Sequence, residues 1–258
     1  MYKLLCSLTH SLRWLAMLLP LAAMATPDRT PAEQLRIADG YRLDEQASKV
    51  VTTVSLFEND VLSKTRRYHV YTRANHQSLV LFKSKAEAGQ KMLMLEDNYW
   101  LLMPKSRRPI RITPMQKLLG EASVGDLSTL TWSDSYQGQW VSAERITPPH
   151  GAAIDCNRLS LTARYPGASY RHIDLWLAKD SDFPVRADLY LHSGKLAKQA
   201  WFEPGTRAQK PAVIAMTLLD RIQPHKRTRV EYLQITPASL PDKYYNPAYL
   251  SRNSLSEL

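Results

Sequence analysis

Seven histidines, two cysteines and a scatter of carboxylates are the residues of this chain that could do chemistry. His10, His69, His76, His150, His172, His192 and His225 show no HxxxH or similar spacing of the kind that holds a metal. His172 and His192 read as solvated histidines on the polar side of a strand. Asp174 and Asp188 fall on neighbouring predicted strands. Paired carboxylates can do acid–base work, but with Arg171 and Arg186 beside them these two read as cross-strand ion pairs. Asp180 and Asp182 flank Ser181 before Phe183-Pro184, which is a turn. There is no GxSxG elbow, no SxxK and no Walker loop. Cys156, within IDCNRLSLTA, has no accompanying His or Asn motif and reads as a small sheet residue rather than a nucleophile. The sequence therefore predicts no enzyme, no metal and no cofactor.

Charge gives a second lead. The formal net charge is +10. Its densest cluster lies in Tyr99–Ile112, YWLLMPKSRRPIRI, where Lys105, Arg107, Arg108 and Arg111 follow five apolar residues. A basic chain favours anionic partners. Nucleic acid fits poorly, because Tyr99 and Trp100 lie within a strand pattern rather than interleaving with the cations as stacking platforms would. Tyr99–Met103 and Met92–Leu95 are apolar at successive positions, so both faces of those strands avoid water. Either they are buried between two layers, or one face lies on the core and the other on a hydrophobic cavity. Methionine suits a cavity that takes ligands of variable shape.

The N-terminus predicts the compartment. Lys3 and Arg13 precede the apolar run Trp14–Leu21, and Ala23-Met24-Ala25 supplies small residues for a peptidase. This is a secretory signal over residues 1–25, with cleavage after Ala25. Cys6 leaves with it, so the mature chain has Cys156 alone and no internal disulfide. No later segment reaches the ~18 apolar residues of a membrane helix.

Residues 26–258 read as one domain. Pro31 opens a helix through AEQLRIAD, and Gly40 stops it. From Gln46 the period becomes two. Twelve segments then read as strands bounded by Pro, Gly, Asn or Asp. KMLMLE and YWLLM form a hairpin across Asp97-Asn98. Two short helices are expected between the strands, Pro114–Leu119 and Gly125–Leu130. A single antiparallel sheet of about eleven strands must curl or split. The expected fold is mainly β: a strongly curved, unclosed half-barrel, with the N-terminal helix and the short central helices as a lid or plug.

Those residues carry a resemblance. The segment DNYWLLMPKSRRPIRITPMQKLLGEASVGDL is similar to the signature of the outer-membrane lipoprotein-sorting proteins, the LolA-like group. A Trp-Leu strand, a Pro and an Arg-rich stretch are followed by Gly120, Gly125-Asp126 and Trp132-Ser133-Asp134. The helix ending in Ala38-Asp39 and the terminal LPDKYYNPAYL also resemble the family's ends. The resemblance implies an unclosed antiparallel barrel under a helical lid, with an apolar interior that receives acyl chains. It further implies a monomeric periplasmic carrier between an inner-membrane transporter and an outer-membrane acceptor. Its cargo would be a lipoprotein or another lipid, and its contacts with membrane surfaces transient. On that basis Leu93, Leu95, Trp100 and Leu102 are expected to line the cavity. Met115, Leu118 and Leu119 would belong to the lid, and Lys105, Arg107, Arg108 and Arg111 to a basic rim. The competing expectation is a periplasmic accessory that docks on a transporter and holds no cargo.

Overall fold

The computed structural model describes residues 29–43, 47–73, 77–113, 115–119, 122–123, 126, 131–166, 168–255 and 258. Residues 1–25, read from the sequence as a secretory signal, lie outside them. Thirteen strands form one antiparallel sheet. In chain order they begin with β1 (Ser48–Glu58), β2 (Val61–Arg73), β3 (Gln77–Phe82), β4 (Lys91–Leu95), β5 (Asn98–Leu102) and β6 (Ile110–Ile112). They resume with β9 (Tyr136–Ile146), β10 (Ile154–Ala163), β11 (His172–Ala178), β12 (Pro184–Tyr190), β13 (Leu196–Arg207), β14 (Lys210–Asp220) and β15 (Lys226–Pro237). Between the two runs, β7 (Lys117–Leu119) and β8 (Ala122–Ser123) pair as a separate hairpin. The α-helices whose bounds fall among the described residues are α1 (Pro31–Arg42), α2 (Trp132–Ser135) and α3 (Pro247–Arg252).

The spatial order β6-β5-β4-β3-β2-β1-β15-β14-β13-β12-β11-β10-β9 makes the sheet two meanders joined where β1 pairs β15. β6 and β9 are its free edges, so the sheet is not closed into a barrel. It is nevertheless curled. One apolar cluster collects Val80, Met92 and Tyr99 from one meander with Leu161, Ile173 and Phe202 from the other. Register shifts mark the bends, among them Val51/Thr52, Arg158/Leu159 and Glu203/Pro204. An extra residue at a bulge bends the strand, and a bulge also accommodates a proline such as Pro204.

Helix α1 lies over the interior. Thr30 and Glu33 form a reciprocal capping box at its start, with Pro31 in the first turn. Leu35 and Ala38 enter the inner cluster. The helix continues two residues beyond Gly40 and ends at Leu43, whose backbone is extended. Gly40 is therefore inside it; a Cβ there would meet nothing within 4 Å. Gly138 on β9 is different. A Cβ there would lie 3.2 Å from Leu35, and 3.3 Å from both Leu161 and Pro31. Glycine at this position lets α1 seat on the sheet. Gly138→Val should destabilise the fold by about 1–3 kcal/mol through overpacking, read by urea denaturation. An unchanged midpoint would mean that this contact does not seat the helix.

The expected helix at Pro114–Leu119 is corrected: Lys117–Leu119 is strand β7. Of the expected helix Gly125–Leu130, only Asp126 lies among the described residues, and it is helical. The hairpin of β4 and β5 is present, but it turns at Glu96-Asp97, and Leu95 pairs directly with Asn98. Glu96 takes a positive φ of 53° to make that turn.

Candidate functional site: the covered interior

Beneath α1 and α2 the described residues wall a cavity of about 40 Å³, lined by Arg42, Trp132, Tyr136, Tyr170, Phe202 and Asp126 among others. That is room for little more than one water. Trp132, buried, packs its ring edge-on against Phe202 at 5.6 Å between centroids. The Arg42 guanidinium lies over the same indole, 3.9 Å from its centroid. Ser169, buried beside the cavity, directs an Oγ that has no hydrogen-bond partner among the described residues.

Two buried carboxylates tie the covering segments down. Asp39, near the end of α1, accepts hydrogen bonds from the backbone N–H groups of Trp132 and Ser133, each 2.9 Å. It thus satisfies the free donors at the start of α2. Arg42 approaches its Oδ1 at 3.4 Å. Burial nevertheless outweighs Arg42 and the two N–H groups and raises the Asp39 carboxyl above its ordinary value. Asp126 sits deeper. Its Oδ2 accepts from Lys198 Nζ at 2.7 Å and from the N–H and Oγ of Ser123 at 2.8 Å each. Tyr170 donates to its Oδ1 at 3.0 Å. Burial pushes this carboxyl up, but the Lys198 charge, its hydrogen bond and those of Ser123 prevail and hold it below its ordinary value. The Tyr170 hydroxyl is held well above its ordinary value by burial and by Asp126, so it stays a donor.

The residues expected to line the cavity are brought together, but on the other face of the sheet. Leu93 and Leu102 are buried, and Leu95 and Trp100 half-buried, in an outer cluster with Tyr245, Leu250 and Leu255 of the C-terminal segment. Their neighbours Met92, Met94, Tyr99 and Leu101 point to the interior instead. Both faces of these strands are covered, as the sequence required: one by the core, one by α3 and the turn before it. Met115 packs against the inner cluster. Leu118 and Leu119 have their backbone in β7, and their side chains lie outside the described residues. Lys105, Arg107 and Arg108 are exposed on the loop between β5 and β6. Arg111 is exposed too, but it is held: it donates to Asn98 Oδ1 at 2.6 Å and lies 4.7 Å from the Trp100 ring.

The other reactive candidates resolve into structure. Asp174 and Asp188 stand directly opposite one another on β11 and β12. Asp188 is gripped by Arg186, two residues away on the same strand rather than across the sheet as expected, and accepts from Gln199 Nε2 at 2.9 Å. Asp174 pairs with Arg158 at 2.8 Å and contacts His172 Nε2 at 2.9 Å. Like charges placed opposite would repel, and the flanking guanidinium groups offset this. Cys156 is buried, with its thiol pushed up to about 12 by burial and nearby carboxylates, which suits a structural thiol rather than a nucleophile. Among the described residues no group of three or more His, Cys, Asp or Glu could hold a metal.

In the sequence Asp39 stood out only as the end of the helix that resembles the family's, and Lys198 not at all. One signal for Lys198 was available. Within LAKQAWF, Ala200 and Phe202 face inward, and Lys198 shares their parity, so a lone cation occupies an apolar register.

Comparison with known proteins follows this geometry. A family model described only as an uncharacterized protein matches residues 74–252. A LolA superfamily protein from Nitrosomonas europaea superposes with a TM-score of 0.77 at 24% identity, covering 84% of this chain and 98% of that one. A putative outer membrane lipoprotein-sorting protein domain from Vibrio parahaemolyticus gives 0.68 at 18% identity, covering 86% and 98%. A DUF1329 family protein from Desulfovibrio piger gives 0.68 at 21% identity, covering 85% and 97%. No curated protein matches the sequence. The chain belongs to the family of uncharacterized proteins whose model it matches, and its unclosed thirteen-stranded sheet is the LolA-superfamily fold.

Proposed function

We propose that the protein is a periplasmic, non-catalytic carrier that hides the acyl chains of a lipoprotein or another lipid inside its curled sheet. The observation carrying this reading is the construction of the interior. Its apolar lining is covered by α1, α2 and the small β7–β8 hairpin, segments that polar contacts fasten at Asp39 and Asp126. Such a cover can lift without unfolding the sheet. An acyl chain that replaced it would gain roughly 0.8 kcal/mol per buried methylene. The N-terminal signal pattern and the likeness to a putative lipoprotein-sorting domain support the compartment and the class of cargo. Donor and acceptor would be an inner-membrane transporter and an outer-membrane site.

The competing reading, a docking module without cargo, draws on one observation: the cavity that the described residues wall beneath α1 and α2 is small, about 40 Å³. Native mass spectrometry of protein released gently from the periplasm separates the two. A carrier should show mass adducts equal to acylated species, displaced by added fatty acid. Protein that is uniformly free of adducts, and stays so with added fatty acid, would favour the docking module.

A further inference from the structure

The two ends of the sheet differ in charge. In an antiparallel meander, alternate connections emerge at the same end, and the registers fix which. One end gathers the turns β1–β2, β3–β4, β5–β6, β10–β11, β12–β13 and β14–β15. The β5–β6 loop there carries Lys105, Arg107 and Arg108, and the β3–β4 connection carries Lys83 and Lys85. Arg164 and Arg171 bracket the β10–β11 connection, and Lys195 and Arg221 lie in the next two. All nine of these cations are exposed. The acids at this end are Glu58, Asp60, Glu87, Asp134 and the buried Asp220; Asp60 pairs with Arg227 and Glu87 with Arg66. At the opposite end the described connections hold Glu96, Asp97, Asp180 and Asp182 against Lys179, with Arg73, Arg207 and Lys210 at the adjoining strand ends; Asp182 is buried and paired with Arg29.

Four of the seven exposed large apolar side chains among the described residues also stand at the basic end; the others, Ile37, Val141 and Leu233, are dispersed along α1, β9 and β15. Val61 is 69% exposed and Leu62 55%, at the tip of the β1–β2 hairpin. The tip turns tightly through Asn59 and Asp60, with φ values of 50° and 63°. It projects beyond β3, whose pairing with β2 starts only at Tyr68. Ile110, 48% exposed, follows the β5–β6 loop, and Ile222, 49% exposed, tops the β14–β15 turn. Asp220 holds that turn by accepting from the N–H groups of Ile222 and Gln223. Apolar tips ringed by cations match the boundary of an anionic bilayer, where apolar groups sink into the headgroup region and Lys and Arg meet lipid phosphates. An acidic protein surface would satisfy the cations but leave the four apolar tips unexplained.

We propose that this end, tipped by Val61, Leu62, Ile110 and Ile222, is the face with which the protein docks on membranes rich in anionic phospholipid. The proposal rests on the carrier reading, since a carrier must meet the bilayers it serves. The cavity-lining residues Ser169 and Tyr170 belong to the β10–β11 connection at this same end, so docking here brings the covered interior next to the lipid.

The test is flotation of the purified protein with vesicles of phosphatidylglycerol and phosphatidylethanolamine, and with vesicles of phosphatidylcholine alone. Binding should be confined to the anionic vesicles and weaken as salt rises. Leu62→Asp should reduce partitioning roughly ten-fold. Joint reversal of Lys105, Arg107 and Arg108 to Glu should reduce it roughly a hundred-fold. Circular dichroism melts check that both variants stay folded; Val61→Asp is the substitute for either. Equal binding to neutral vesicles, no binding to anionic ones, or binding unchanged in the variants overturns the proposal. So does capture of an acidic protein in the absence of vesicle binding. Native mass spectrometry of Leu62→Asp keeps the two readings apart. Adducts without vesicle binding by the wild type fail the docking face alone; vesicle binding without adducts fails the cargo reading alone.

Discussion

Replacing Lys198 with methionine is expected to destabilise the protein by about 3–5 kcal/mol, the effect of leaving one partner of a buried ion pair uncompensated. The Asp126 carboxylate would keep Ser123 and Tyr170 but lose the cation that holds it ionised. The pH dependence has a definite sign. In the wild type the folded Asp126 titrates below its unfolded value. Its contribution is therefore complete above the unfolded pKa of about 3.9 and is lost as pH falls through the lower folded value. Without Lys198, burial governs and the folded value rises above the unfolded one. The variant then regains stability as acid protonates the carboxyl. The difference between the two proteins, followed by urea denaturation, should be greatest near neutrality and shrink toward acid. A difference that stayed constant with pH would show that Lys198 acts only by packing its methylenes. Adding Asp126→Asn to Lys198→Met should restore part of the loss, because no buried charge then lacks a partner.

Trp132→Ala should cost about 3–5 kcal/mol as a large-to-small change at a buried site. Its consequence for binding is more telling. The indole fills the space between Arg42 and Phe202 and borders the cavity. Its removal should leave an apolar void continuous with the existing 40 Å³, and such voids take up apolar guests. A fluorescent fatty acid should bind the variant faster and to a higher level than the wild type. Loss of stability with no gain in uptake would make Trp132 an ordinary core residue and count against the interior as the cargo site.

Much of the fold was legible in the sequence. Most strands of both meanders follow period-two alternation between turn residues, and Pro31 marked the start of α1. The errors fall where local pattern is weakest. PMQKLL is too short to distinguish helix from strand, and its partner Ala122–Ser123 settles it as a hairpin. Gly40 suggested a helix end, but α1 gains buried contacts at Asp39 and packing of Tyr41, so it continues.

The sequence by itself determined that KMLMLE and YWLLM are strands dry on both faces, that the chain is basic, and that no catalytic constellation is spelled out along it. Which face is interior could not be read from alternation, because Leu93 and Met92 are equally apolar. That choice was made by the C-terminal segment, which packs Tyr245, Leu250 and Leu255 over one side and leaves the methionines to the core. Likewise, Lys198 becomes a buried anchor only because Asp126, 72 residues away in sequence, folds back to meet it. The gathering of cations at one end follows from strand direction. Hydrophobic pattern is local and survives in sequence; charge pairing and the covering of a face depend on residues that only the closed chain brings together.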